Sequence, residues 1–257
     1  MKPLIVVDLA SNHGGDMLLA HDMIRQAAKA GADLVKVQSY QVKHLSPGDL
    51  QYGWLKQTEL TDAGHEYLMR VCEDRRVGFV TTVFRADRVP FLASLGIGQI
   101  KIGSGEAMDR PLVEAVAAHP WHVIVSTGLT TRDELHQTVQ ALGAARTTLL
   151  HTVSTYPTPR EYADLTRVNW LRWFGTAVGY SDHTVGIDAC QIAVSLGAVL
   201  VEKHFSVPGG RESAWNLNPA SLRALVDVRD TWWTMTRPTA ALPGGPRPYI
   251  NRWTHDG

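Results

Sequence analysis

The residues best placed to do chemistry lie in two short stretches near the C-terminal third of the chain. Gly179-Tyr180-Ser181-Asp182-His183-Thr184-Val185-Gly186 follows the apolar run Thr176-Ala177-Val178 and precedes a helical pattern. It therefore reads as a place where a strand ends and a helix begins. About twenty residues later the arrangement recurs. Ala198-Val199-Leu200-Val201 reads as a buried strand, and Glu202-Lys203-His204 stands at its end. In a parallel α/β sheet the C-terminal ends of neighbouring strands face one shared site. That brings His183 and His204 together. Two imidazoles at one mouth, with Asp182 and Glu202 beside them, could hold a divalent metal. Either histidine alone is explained as well by a polar strand-end residue bonded to backbone; two at matching strand ends favour the metal.

Other polar groups gather at the same kind of position. Leu4-Ile5-Val6-Val7 is a first strand, followed by Asp8, Asn12 and His13 and by the tight turn Gly14-Gly15, with Asp16 capping a helix to Gly31. Leu34-Val35-Lys36-Val37 is the second, and it carries a lysine inside an apolar run, where a cation needs an anion nearby. Gln38 continues it. Val77 to Val83 is the third strand, with Thr82 near its end, and Gln99-Ile100-Lys101-Ile102 the fourth, again with an interior lysine. Ser104 and Glu106 follow in a glycine-rich turn. Val123-Ile124-Val125 leads to Ser126, and Thr148 to His151 leads to Ser154 and Tyr156. Two lysines, serine hydroxyls and loop N–H groups suit a phosphate or a phosphorylated carboxylate. A two-histidine metal site with open positions suits polarising a carbonyl. An interior lysine could instead form a Schiff base, as in aldolase chemistry. For Asp8 and Glu106 a structural ion pair with a lysine is as good an explanation as a catalytic role.

The elements that must position these groups follow from the periodicity. Helices are expected from Thr61 or Asp62 through Cys72, over Val89–Leu95, from Arg110-Pro111, from the capping box Thr131–Glu134, over Tyr162–Phe174, over Ile187–Leu196, and from Pro219 capped by Asn218. Residues 42–61 read as a long irregular loop, equally an active-site wall or a surface excursion. This makes eight βα units without a linker, and an α/β fold of the (β/α)8 TIM-barrel type is the natural solution for 257 residues. A doubly wound sheet is the alternative. One domain spans 1–235, and a Pro/Gly-rich tail spans 236–257.

Bulk composition narrows the partners. Lys+Arg and Asp+Glu are both 25, so no net charge points to nucleic acid or an anionic membrane. Cys72 and Cys190 both fall in helical patterns, which fits a reducing compartment. With neither a cleavable signal pattern nor a membrane-length apolar run, the expected location is cytoplasmic.

Taken together, these motifs resemble the sialic acid synthase family, enzymes that condense phosphoenolpyruvate with N-acetylmannosamine or related sugars. The likeness is carried by Ser11-Asn12-His13-Gly14-Gly15-Asp16, Lys36-Val37-Gln38, Lys101 to Glu106, Ser126-Thr127-Gly128, Tyr156-Pro157-Thr158-Pro159, Ser181 to Gly186 and Glu202-Lys203-His204-Phe205. The resemblance implies a (β/α)8 barrel. It implies a divalent metal on His183 and His204, typically manganese, with magnesium or cobalt as alternatives. It places Lys36, Thr82, Lys101, Ser104, Ser154 and Ser181 around phosphoenolpyruvate. Glu106, Tyr156, Glu202 and Asp8 would serve catalysis, and Asn12, Gln38, Arg85 and Glu212 the acceptor. The implied reaction joins C3 of phosphoenolpyruvate to an aldehyde or sugar, adds water at C2 and releases phosphate by C–O cleavage.

Departures from the family pattern cluster at the acceptor. Asp8 stands for a glutamate, Ser154 for an asparagine, Arg85 for an aspartate, and Arg211-Glu212 for Pro-Asp. Family members also carry a C-terminal antifreeze-like domain that reaches into a partner subunit's site. This implies a homodimer, or a separate antifreeze-like domain protein supplied in trans, and an acceptor other than free N-acetylmannosamine. A catalytically retired barrel serving as a subunit or scaffold is the alternative of a different class.

Overall fold

The computed structural model describes residues 1–237. Eight parallel strands close on themselves in the order β1 to β8. They are Leu4–Asp8 (β1), Leu34–Ser39 (β2), Gly78–Val83 (β3), Gln99–Ile102 (β4), His122–Ser126 (β5), Thr147–Thr152 (β6), Ala177–Asp182 (β7) and Leu200–His204 (β8). The helices outside them are Met17–Ala30 (α1), Tyr52–Thr58 (α2), Asp62–Asp74 (α3), Val89–Ser94 (α4), Arg110–Ala117 (α5), Arg132–Leu142 (α6), Arg167–Trp170 (α7), Asp188–Ser195 (α8) and Pro219–Thr236 (α9). The closed ring establishes the single (β/α)8 barrel and removes the doubly wound alternative, because β1 pairs with β8 in register from Leu4↔Leu200 to Asp8↔His204.

Strand alternation builds two levels inside the ring. Val6, Leu34, Val80, Ile124, Leu150 and Leu200 form one compact apolar cluster separate from the larger core between strands and helices. Two residues further along the same strands come Asp8, Lys36, Thr82, Ser126, Thr152 and Glu202. A period of two keeps each of these on the same face as its apolar predecessor. The apolar cluster thus plugs one end of the barrel, and a polar level lies above it toward the C-terminal mouth.

Several elements differ from the sequence reading. β8 starts at Leu200 and runs on through His204. Asp8, Lys36, Gln38, Thr82, Lys101, Ser126, Ser181, Asp182, Glu202 and His204 lie within strands, and the remaining candidates sit past a strand end. The single helix expected over 162–174 is broken into short turns around α7, with Asp164 at positive φ just before it. The loop 42–61 contains α2. Helix α9 continues past Trp233 to Thr236, and the tail expected from 236 lies, after residue 237, outside the described residues. No helix among the described residues is long and apolar enough to cross a membrane.

Outside the barrel wall, Asp182 and Lys203 are register partners on β7 and β8. Lys203 Nζ donates to Asp182 Oδ2 at 2.6 Å and to the Thr184 carbonyl at 2.6 Å. Tyr180 Oη, the Thr184 amide and Cys190 Sγ complete the shell of the carboxylate. The pair is wholly buried and fully hydrogen-bonded, the condition under which an interior ion pair is tolerated. Removing one partner strands the other charge. Asp182→Ala is expected to cost about 3–5 kcal/mol, read as a fall in the urea midpoint, and adding Lys203→Met should recover much of it. A midpoint unchanged in the single variant would show that the pair does not hold β7 against β8.

Candidate active site

At the C-terminal mouth one cavity of about 850 Å³ is lined by most of the residues singled out from the sequence. Its floor is a charged network drawn from opposite walls. Lys36 Nζ donates to Asp8 Oδ2 at 2.8 Å and to Thr82 Oγ1 at 3.1 Å. It also lies 3.7 Å from Glu202 Oε1. Lys101 Nζ donates to the same Glu202 oxygen at 3.0 Å, and Ser181 Oγ donates to it at 3.1 Å. Burial alone would raise the Glu202 carboxyl, but Lys101 and then Lys36 outweigh it and hold it at about 2. Burial pulls Lys101 below its ordinary range, Glu202 opposing and Lys36 reinforcing the shift. Lys36 also meets a burial penalty, but Asp8 and Glu202 outweigh it and raise its pKa. Glu202 Oε2 and Thr152 Oγ1, both on lining residues, have no protein hydrogen-bond partner.

One side of the mouth carries the histidines. The rings of His183 and His204 are 5.4 Å apart between centroids. His183 Nδ1 lies 2.8 Å from the Val153 carbonyl, which fixes that nitrogen as the protonated one and leaves Nε2 as a lone-pair donor. Burial, then the neighbouring His204, pulls His183 down to about 4, and burial lowers His204 despite Asp8. Both rings are thus neutral near pH 7, the state that ligates a metal. The nearest carboxylate, Asp8, is 3.9 Å from His204 Nε2. No cluster of three or more His, Cys, Asp or Glu ligands occurs among the described residues. The donor set fits a divalent ion held by two protein imidazoles, with its other positions left to water or substrate. The Tyr156 ring lies tilted by 41° against His183, 4.1 Å between centroids, and meets His204 edge-on at 5.9 Å.

Asp182, expected beside the histidines, is not there. Its side chain faces the outside of the barrel, committed to Lys203. His13 is buried away from the cavity lining, its Nδ1 on the Gly15 amide. Glu212 is exposed and does not line the cavity; its neighbours Arg211 and Ser213 do. Asn12 lines it, but its amide is spent on the Phe205 carbonyl, 3.0 Å away. Gln38, on β2, and Arg85, just past β3, also line the cavity.

The rim holds Ser104, Glu106 and Ser154. Gly128 lets the first and last approach each other. A Cβ there would stand 2.7 Å from Ser154 Oγ, 2.9 Å from Thr152 Cγ2 and 3.1 Å from Ser104 Oγ. The Gly128 amide itself donates to Ser104 Oγ at 3.1 Å. Burial raises the Glu106 carboxyl above the usual range, offset in part by its own amide and by Lys101.

Of the two readings of residues 42–61 the active-site wall is the one found, since His44, Leu45, Gln51 and Leu55 line the cavity. Sequence reasoning missed Tyr40 and Gln41 beside them, and the buried Arg88, which is held by Ser39 and Asp62. Nothing in the local pattern separates Arg88 from a surface arginine.

The lysine–carboxylate floor, the hydroxyl-lined rim and the paired imidazoles all stand at the C-terminal mouth of the ring, the face on which proteins of the (β/α)8 class carry their sites. Comparison with known proteins narrows this: the chain belongs to the NeuB family, whose model matches residues 23–237. It is 34% identical over 248 residues to the N,N'-diacetyllegionaminic acid synthase of Campylobacter jejuni, covering 87% of this chain and 74% of that protein. The enzyme of the same name from Legionella pneumophila is 31% identical over 258 residues, covering 90% and 72%. The crystal structure of the N-acetylneuraminic acid (sialic acid) synthetase of Leptospira borgpetersenii in complex with citrate matches with a TM-score of 0.87 at 28% identity, over 94% of this chain and 87% of that one. Family membership supports enzymatic activity of the phosphoenolpyruvate-dependent synthase class.

Gly128→Ala tests the rim directly. The added methyl displaces the Ser104 and Ser154 hydroxyls, so if these hold phosphate, as the family resemblance implies, phosphoenolpyruvate binding measured by calorimetry is expected to weaken about tenfold while the circular dichroism spectrum is retained. Unchanged affinity would place the phosphate elsewhere.

Proposed function

We propose that the protein condenses phosphoenolpyruvate with an aldehyde or aldose acceptor, forming a carbon–carbon bond and releasing phosphate. The observation that carries this reading is the floor of the cavity, where two lysines are kept dry by matching carboxylates beneath a hydroxyl-lined rim. Lys36 and Lys101 meet the donor's negative charge, while Thr82, Ser104 and Ser154 supply hydroxyl donors around it and Ser181 lines the same pocket with its proton on Glu202. His183 and His204 would hold a divalent ion, manganese by family expectation, which when bound would supply Lewis-acid polarisation of the acceptor carbonyl.

The chain's own groups then have distinct tasks. The acceptor carbonyl carbon is attacked by C3 of phosphoenolpyruvate, and its oxygen takes up one proton in becoming a hydroxyl. Glu106, with its pKa raised by burial, is the acid poised to give that proton. Water adds at C2 and gives up one proton, and the C2–O bond to phosphate then breaks as the new C2 hydroxyl gives its remaining proton to the departing phosphate, leaving the keto acid. Tyr156 packs over the imidazoles and shields the reacting carbonyl from bulk water. Asp8 and Glu202 keep both lysines in place for the anion.

Chelated protein should be inactive and regain phosphate release with manganese. His183→Ala or His204→Ala should lower manganese content in the purified protein, read by elemental analysis, along with activity. Parental metal content in both variants would sink the assignment. The low position of Lys101 favours a second reading, a Schiff-base lyase, since a depressed lysine is the more nucleophilic. Borohydride in the presence of pyruvate would then leave a covalent adduct on Lys101, and activity would survive chelation.

The role of Glu106 predicts a pH dependence. Because its pKa is raised, the protonated acid survives to higher pH than an ordinary glutamic acid and is lost as pH rises through that value. The rate should therefore fall along an alkaline limb. Glu106→Gln should remove that limb and slow turnover by roughly 10²–10⁴-fold. A Gln variant with the parental limb would assign the proton to another group.

A further inference from the structure

The outer half of the cavity carries charge that the inner half does not need. On the floor, Lys36 and Lys101 are answered by Asp8 and Glu202. Toward the rim, Arg88 is answered by Asp62 at 2.8 Å. Arg85 has only Asp87 at 3.7 Å, and that carboxylate is shared with His44. Arg211 has no carboxylate within ion-pair distance among the described residues, yet it lines the same cavity.

Arg211 is also held in place more firmly than an exposed arginine has to be. Its guanidinium lies over the Trp54 ring, 5.0 Å from the centroid. That indole is itself tied down, its Nε1 donating to Ser11 Oγ at 2.9 Å. Helix α2, which carries Trp54, sits hard on the β1 loop. Gly15, at φ +87°, leaves only 2.3 Å between a Cβ and the Gln57 carbonyl oxygen, and Gln57 Nε2 donates to the Gly14 carbonyl. The Arg211 amide donates to the Asn12 carbonyl at 2.8 Å, and Asn216 Nδ2 donates to the Arg211 carbonyl. Stacking occupies the face of a guanidinium and leaves its in-plane N–H groups for an acceptor. No protein acceptor takes them among the described residues.

Aromatic contacts give the direction of this subsite. Tyr156 touches His183 on one side and Trp215 on the other, with ring centroids 6.0 Å apart for the latter pair. Trp215 belongs to the same loop as Arg211. The cavity thus runs from the imidazoles past Tyr156 toward that loop.

We propose that Arg211, stacked on Trp54, is an anion subsite for the acceptor, and that the acceptor carries a phosphate ester or carboxylate at the end remote from its reacting carbonyl. This rests on the reading that the cavity takes phosphoenolpyruvate and an acceptor together. A neutral sugar would gain a hydrogen bond from a fixed, unanswered guanidinium, but an anion gains the Coulombic attraction as well, and in a partly enclosed mouth that difference favours the charged ligand.

Binding decides the matter without requiring turnover. Full-length protein saturated with manganese and phosphoenolpyruvate is titrated calorimetrically with three unreactive alditols. These are N-acetylmannosaminitol, its 6-phosphate, and the matching carboxylate oxidised at C6. At least one anionic alditol is expected to bind about tenfold more tightly than the neutral one, and the tighter of the two names the anion. Arg211→Ala should abolish that preference without changing phosphoenolpyruvate affinity, and Arg211→Lys should restore part of it. Equal affinity for charged and neutral alditols, no binding of any alditol, or a preference that survives Arg211→Ala overturns the inference. Failure of phosphoenolpyruvate itself to bind would instead overturn the condensing function.

Discussion

Four charges buried at the floor of the barrel set the terms for everything above them. Asp8, Lys36, Lys101 and Glu202 are each at most 5% exposed. Any one of them alone would be expelled or neutralised at a cost of several kcal/mol. Together they are tolerable because closure of the sheet places opposite charges within reach. Asp8 and Lys36 are register partners on β1 and β2, and Glu202 arrives from β8, which meets β1 only because the ring closes. An open sheet with β8 at a far edge would leave Lys101 without its carboxylate. Closure and charge compensation are therefore one requirement. The product is a pair of lysines already stripped of water, which can meet an incoming anion without first giving up a hydration shell.

The same alternation separates two ion systems that lie back to back. Along β8, Glu202 faces the cavity, Lys203 the helical layer and His204 the cavity again. Along β7, Ser181 faces in and Asp182 out. The outer pair ties β7 to β8 at the level where the two histidines emerge. The inner groups stay available because the outer ones carry the tie. Asp182, adjacent to His183 in sequence, is thus excluded from its chemistry by a single step of the pleat.

This explains what could be read from the sequence and what could not. The barrel was legible because eight apolar runs alternate with helical patterns, and the positions of Lys36, Lys101, His183 and His204 at or near strand ends follow from that alone. The face a strand-end polar residue takes was not legible. It depends on where the strand stops, and β8 continues two residues past Glu202, to His204. Lys203 could not be told from a ligand-facing lysine before the register with Asp182 was known. Loops posed a harder problem. Glu212 and Arg211 are neighbours, and only the backbone anchor of Arg211 on Asn12, together with the Trp54 platform, decides which of them meets the cavity. That platform belongs to α2, whose short length gives little periodic signal.

Division of labour between strands and loops has an evolutionary consequence that the geometry makes concrete. Most of the groups assigned to phosphoenolpyruvate and the metal sit on β-strands or within a residue or two of their ends, where ladder hydrogen bonds hold their positions. Of those assigned to the acceptor only Gln38 sits on a strand, β2; Asn12 follows β1, Arg85 lies on the turn after β3, and Arg211 on the loop between β8 and α9, over Trp54 of α2. Loop positions can change charge at little cost to the barrel, as exposed side chains contribute little to stability. A substitution on the floor would instead strand a buried partner. Changing the acceptor while keeping the donor chemistry is therefore the path of least energetic resistance for this scaffold. An arginine at 211 and another at 85 are the kind of change that path admits, and neither touches the four charges that closure of the barrel requires.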